Sequence, residues 1–260
     1  MMAGLQTAKK DLRRRMRDVL KNIPNESILN QSKVATNKLF SLSEYQNAKR
    51  IGVYLSMPFG ELATTSIIQD ALTNGKEVFI PYIHSIESPS TQKKTSIMDM
   101  LALGSMEEFR GLEPDKWGIP SLKETQVINR KNCLGGYGVQ SLKAEEQATH
   151  GLDLIVMPGM AFDPELRRLG HGKGYYDHFL TRYSKQEADS KPSKMPFLGE
   201  KAARFTVGTT KKHSLTRPHT VALSLKEQVL PPTEEIPVAD HDWPLDAIIV
   251  GDDQFFVHKR

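Results

Sequence analysis

The stretch Arg167 to Leu180, RRLGHGKGYYDHFL, places glycines at alternate positions among Arg168, His171 and Lys173, and follows them with Tyr175, Tyr176 and Asp177. Glycine lets backbone N–H groups turn toward a ligand with no Cβ in the way, and successive N–H groups in such a loop form a concavity that binds anions. Phosphate is the ligand this pattern suits. Neither common phosphate signature is present: Gly172-Lys173 is followed by Gly174 rather than Ser or Thr, Arg167 stands where a P-loop has its first glycine, and the run reads G-x-G-x-G rather than G-x-G-x-x-G. If phosphate binds here, a different architecture holds it, and on its own the loop reads equally as a solvated basic turn before a helix.

The elements around the loop suit a ligand-binding α/β sheet. Leu5, Ala8, Leu12, Met16 and Val19 recur at helical spacing, which predicts an amphipathic helix over 5–21 with Lys9, Lys10, Arg13, Arg14 and Arg17 on its other face. A second helix is expected over 26–40, capped by Asn25, with Ile28, Leu29, Val34 and Leu39 apolar. Strands are expected at 50–57, 77–83, 96–103, 152–163, 219–225 and 246–253, with helices at 65–74 and 174–183. The order strand, helix, strand implies parallel crossovers. The run LDLIVMPGMAFD is nearly uniformly apolar, as expected of a strand buried on both faces, and the glycine loop is expected to leave its carboxyl end directly.

Bulk properties narrow the classes. The chain has 260 residues, a net charge of +4 and a single cysteine, Cys133. That charge suits an anionic small molecule, and no basic stripe with aromatic platforms argues for nucleic acid. One cysteine forms no internal disulfide, and no apolar run approaches the roughly 20 residues of a membrane helix. The Arg-rich start has the look of a mitochondrial presequence, but Asp11, Asp18 and scarce serine favour a structural helix and a cytoplasmic protein. Segments 125–150 and 184–216 show no period and are expected to be surface insertions or mobile loops in one domain spanning 1–260.

AKKDLRRRM, YLSMPFGELATT, WGIP, MPGMAFDPELRRLGHGKGYYDHFL, ALSLKEQV and IPVADHDWPLDAIIV occur in that order along the chain. Together they resemble the 5-formyltetrahydrofolate cyclo-ligase family. The resemblance implies a three-layer α/β fold, an open and mostly parallel sheet with helices on both faces, similar to the NagB/ribose-5-phosphate isomerase/CoA-transferase group. It implies ATP- and Mg²⁺-dependent closure of 5-formyltetrahydrofolate, or of its polyglutamylated form, to 5,10-methenyltetrahydrofolate by a monomer with no nucleic-acid or membrane partner. By the same resemblance ATP contacts Lys9, Lys10, Arg13, Arg168, Gly170, His171, Gly172, Lys173, Gly174, Tyr175 and Tyr176, with Arg168, Lys173 and Lys9 catalytic. The folate contacts Leu55, Glu61, Trp117, His171, Gly172 and Tyr175, with Met57 and Tyr82 as weaker candidates, and Mg²⁺ is held by Asp177 and Asp242. Alternative readings are a sugar-phosphate isomerase or CoA-transferase of similar fold, and a basic nucleic-acid-binding module.

Overall fold

The computed structural model describes residues 2–87, 94–139, 151–190 and 217–258. It begins with α1 (Met2–Leu20), α2 (Asn25–Ser41) and α3 (Ser43–Asn47), followed by β1 (Arg50–Val53), α4 (Thr65–Thr73), β2 (Glu77–Glu87) and β3 (Lys94–Leu103). Then come α5 (Met106–Arg110), β4 (Glu113–Pro114), β5 (Pro120–Ser121), β6 (Leu154–Met157), β7 (Ala161–Phe162) and β8 (Arg168–Leu169). The chain closes with α6 (Tyr175–Ser190), β9 (His219–Ser224), β10 (Ala247–Val250) and β11 (Phe255–Val257).

Seven strands form one sheet in the order β11-β10-β9-β6-β1-β2-β3. The five inner strands are parallel, while β3 and β11 run antiparallel at the two edges. Alternation along each inner strand divides the core in two. Ile51, Val53, Leu154, Val156, Val221 and Leu223 pack with α2 and α4, and Ile155, Met157, Ala222 and Ile248 pack with Phe179, Leu180 and Tyr183 of α6. The three-layer α/β arrangement with helices on both faces is thus present. Among the described residues no helix is long and apolar enough to cross a membrane.

The order of strands locates the site. From β1 the chain moves to β2 at one side, then returns to β6 on the other side of β1 and continues outward through β9 and β10. The loops after β1 and β6 therefore part in opposite directions, and open α/β sheets hold ligands in the crevice at such a switch point.

Several local expectations need correction. Pro24, not Asn25, occupies the N-cap of α2, and no side chain caps that end. In α1, Ala8 and Val19 are exposed and the buried stripe is Leu12, Met16 and Leu20. In α2, Leu29 and Val34 are exposed while Gln31, Ser32 and Thr36 are buried. Two of these polar groups serve connections: Ser32 Oγ accepts from Ala63 N at 2.9 Å in the turn after β1, and Gln31 Oε1 accepts from Lys226 N at 2.8 Å.

The apolar run 152–163 is not one strand. Pro158 has no N–H for a ladder, β6 stops at Met157, and β7 turns back as a short hairpin with β8. The Asp163 carboxylate fixes that turn by accepting from the Glu165 and Arg167 N–H groups at 3.1 and 3.2 Å. The glycine loop consequently leaves β8. Residues 125–139 are also not a loose insertion: Cys133 and Leu134 are buried, Val127 joins the core, and Asn132 bridges Leu101 of β3. Residues 184–190 continue α6; 140–150 and 191–216 lie outside the described residues.

Candidate active site

Docking of α1 builds one wall. Leu12 and Met16 pack against Met160, Ala161 and Leu169 of the β7–β8 region and against Leu230 and Ile236. Four residues apart on the helix, Lys9 and Arg13 thereby face inward together. Buried Lys9 pairs through Nζ with the Asp242 carboxylate, and Arg13 Nε donates to Gly170 O at 2.9 Å. The Arg13 guanidinium also covers Gly172, whose φ of +96° and whose missing Cβ, 3.3 Å from Arg13 Cζ had it been present, explain the glycine. Lys10 is exposed away from this face, as are Arg17 and Arg14, the latter paired with Asp11 at 3.0 Å.

The second wall is the start of α6. Arg168 Nη2 donates to both carboxylate oxygens of Asp177 at 2.9 Å, with the Arg168 side chain only 5% exposed. Asp177 Oδ1 also accepts from Trp243 N at 3.1 Å, and the Trp243 indole N–H donates to Thr181 Oγ1 at 3.0 Å. Since Trp243 directly follows Asp242, these contacts bring the two expected metal-binding carboxylates to one side of the crevice. Burial favours the neutral form of Asp242, yet its hydrogen bonds from Lys9 and the Ala239 N–H, with the Lys9 charge, hold it below the usual carboxylate range.

Each carboxylate is thus matched to a cation that the sequence reading assigns to phosphate. Among the described residues no cluster of three or more metal-binding side chains occurs. Two hard oxygen donors fit Mg²⁺, which keeps waters and takes substrate phosphates to complete its octahedron. Two donors beside them fit an anion: Arg168 Nε and the Tyr176 hydroxyl are buried without hydrogen-bond partners.

Opposite these walls lies the turn after β1. Glu61 is buried, its Oε2 accepting from Met57 N at 3.0 Å and its Oε1 standing 3.3 Å from His171 Nε2 of the glycine loop. The turn is clamped from behind. Tyr54 donates its hydroxyl to Leu62 O at 2.7 Å, and buried Gln228 donates to Gly159 O at 2.6 Å and to Gly60 O at 3.4 Å. Leu55 is buried beneath it. Trp117 is 64% exposed beside the same turn, because Gly118 packs so closely on Pro58 that a Cβ there would lie 2.6 Å from Pro58 Cγ. Tyr82 is half-buried and stacks on His84, the ring centroids 6.0 Å apart. Lys173 is exposed at the mouth of the loop, and Gly174 opens α6 with φ +66°.

The tyrosine pair separates. Tyr175 packs against the core on the α6 side, whereas Tyr176 touches both core clusters and feels the charges of Glu61 and Arg168. The family resemblance places Tyr175 against both ATP and folate and Tyr176 against ATP; of the two, Tyr176 is the one that packs against both core clusters. Sequence reasoning gave no role to Gln228 or Trp243, which orient Glu61 and Asp177; an isolated glutamine or tryptophan in sequence carries no signal for such a backbone contact.

Comparisons with known proteins identify the family of the chain. A model described as the 5-formyltetrahydrofolate cyclo-ligase family matches residues 5–200. The 5-formyltetrahydrofolate cyclo-ligase of Mus musculus is 33% identical over 248 residues, covering 95% of this chain and 96% of that protein. A probable 5-formyltetrahydrofolate cyclo-ligase of Caenorhabditis elegans is 30% identical over 251 residues, covering 95% of each. In fold, the chain is similar to the NMR structure of Aquifex aeolicus 5,10-methenyltetrahydrofolate synthetase, with TM-score 0.59, 21% identity, and coverage of 97% and 94%. With most of its length matched by the family model and by two such relatives, the chain belongs to the 5-formyltetrahydrofolate cyclo-ligase family.

Proposed function

We propose that the protein closes 5-formyltetrahydrofolate to 5,10-methenyltetrahydrofolate at the expense of ATP, with Mg²⁺, releasing ADP and phosphate. The observation that carries this reading is the pairing of Lys9 with Asp242 and of Arg168 with Asp177 across from the buried Glu61 carboxylate. The carbonyl oxygen of an N-formyl group is a poor leaving group, and its conversion to a phosphate ester overcomes that. The formyl oxygen attacks the γ-phosphorus as the bridging oxygen departs with ADP. N10 then bonds to the activated carbon, the C–O bond breaks, phosphate leaves with that oxygen, and N10 gives up its proton.

Phosphoryl transfer of this kind depends on in-line positioning and on neutralising charge. Lys9, Arg13, Lys173 and the N–H groups of the glycine loop bind the phosphates in this reading, and Arg168 grips the phosphoryl group in transfer. Asp177 and Asp242 would hold Mg²⁺, which supplies charge neutralisation on the phosphates when bound. Glu61 accepts from the pterin N–H groups, with Trp117 as a flat wall and His171 contacting the carboxylate from the loop. Cytoplasmic location and a monomeric state belong to the same proposal; Cys133, buried and free, needs no oxidising compartment.

Mg²⁺- and ATP-dependent appearance of the methenyl chromophore from 5-formyltetrahydrofolate is the expected result with purified protein, one ADP forming per ring closed. Folded protein giving no turnover would remove the reading. A second expectation concerns α1. Arg13→Ala raises the KM for ATP by about tenfold, the size of a lost charge-assisted hydrogen bond, while exposed Arg17→Ala leaves kcat and KM within about twofold. Equal effects of the two would show that this helix face is not the nucleotide wall.

A further inference from the structure

Tyr176 is held by packing rather than by its polar end. Its ring lies against apolar residues on both sides of the sheet, while its hydroxyl is buried and has no hydrogen-bond partner. Buried polar groups without partners are uncommon and costly, so a donor placed this way asks for an acceptor that arrives from outside the chain. The neighbours say where. The Arg168 guanidinium carbon stands 5.7 Å from the Tyr176 ring centroid, and its Nε is the second buried donor in the crevice with no partner. On its other side Tyr176 packs against the cluster that holds Tyr54, Leu55 and Leu62 of the turn that carries Glu61. The hydroxyl therefore sits where the folate turn after β1 meets the phosphate loop after β8.

We infer that Tyr176 is a further catalytic residue, whose hydroxyl donates a hydrogen bond, alongside Arg168 Nε, to the phosphoryl group as it passes from ATP to the formyl oxygen. This role rests on the function proposed above. The group acts as a fixed donor: its ring is packed beside the Arg168 guanidinium and its oxygen is buried, so the hydroxyl is in place before the nucleotide arrives. A neutral donor fixed in a dry site before the reaction, aimed at developing charge, contributes to the transition state without reorganising.

Tyr176→Phe removes the oxygen and keeps the ring under Arg168. Expected is a fall in kcat of about 100-fold, the typical effect of one such donor, with KM for ATP and for folate within about twofold. In the same protein the melting temperature should equal or exceed that of the wild type, because the oxygen removed has no partner in the resting structure. A kcat within about twofold of wild type overturns the role. So does a loss of kcat that comes with a lowered melting temperature and both KM values raised, the signature of a structural hydroxyl. Rapid-quench measurement of ADP formation in a single turnover should show the same loss as kcat; an unimpaired ADP burst overturns action at phosphoryl transfer. Inactive wild-type protein would remove the proposed function together with this role, whereas active wild type with an unimpaired variant would remove this role alone.

Discussion

Arg168→Ala is expected to lower kcat for ring closure by about 10³-fold, in the range found for an arginine on a transferring phosphoryl group. That is about 4 kcal/mol of transition-state stabilisation at 1.36 kcal/mol per tenfold. The side chain is 5% exposed and spends both of its Asp177 contacts on a single nitrogen, Nη2, leaving Nε buried and without a partner. Alanine, however, also leaves Asp177 in a half-buried site without its cation, and breaking a buried pair from one side is strongly destabilising. Arg168→Lys separates the two effects. An ammonium keeps the charge beside Asp177 but presents no planar fork, so stability should be retained while kcat still falls by about 100-fold. The measurement is steady-state kinetics with a thermal melt of each variant. A lysine variant with wild-type kcat would show that charge alone suffices, and that the guanidinium geometry plays no part in the transfer.

The parts of this site legible in sequence are those written in short runs. The glycines from Gly170 to Gly174, the cations among them, and the i, i+4 spacing of Lys9 and Arg13 need no tertiary information to suggest a phosphate grip. The parallel core was equally readable, because strands covered on both faces are apolar at every position. What failed to show were features decided by contacts distant in sequence. Polar Gln31 and Ser32 turn inward in α2, where Ser32 binds the backbone of the turn at Ala63 and Gln31 that of Lys226, and a periodicity count reads them as surface. The break after Met157 was masked because the hairpin that follows is also apolar and buried. The different fates of Tyr175 and Tyr176 follow from the phase of α6 against the sheet, which neighbouring identical residues do not reveal. Nor does sequence show that each cation meets a carboxylate, since Lys9 and Asp242 are 233 positions apart.

That pairing has a measurable consequence for metal binding, and it has an unusual sign. In the resting protein Lys9 neutralises Asp242, so a divalent ion reaching this carboxylate must displace an ammonium that then stays buried without a counter-charge. Phosphate oxygens provide that counter-charge, so metal and nucleotide should each favour the other, within the common range of about 1–3 kcal/mol for coupled sites. Lys9→Met keeps much of the apolar stem and removes the charge. In nucleotide-free protein this variant should bind Mn²⁺, used as a paramagnetic substitute for Mg²⁺, about tenfold more tightly than wild type. The same variant should bind ATP about tenfold more weakly, each tenfold being about 1.4 kcal/mol. Asp242→Asn should lose the metal affinity without the gain. Free Mn²⁺ followed by electron paramagnetic resonance, and nucleotide binding followed by calorimetry, read the two sides without turnover. An ordinary phosphate-binding lysine, remote from the metal, would lower nucleotide affinity and leave Mn²⁺ binding unchanged. Opposite signs from one substitution require that Lys9 guards the carboxylate at rest and changes partner when the nucleotide arrives.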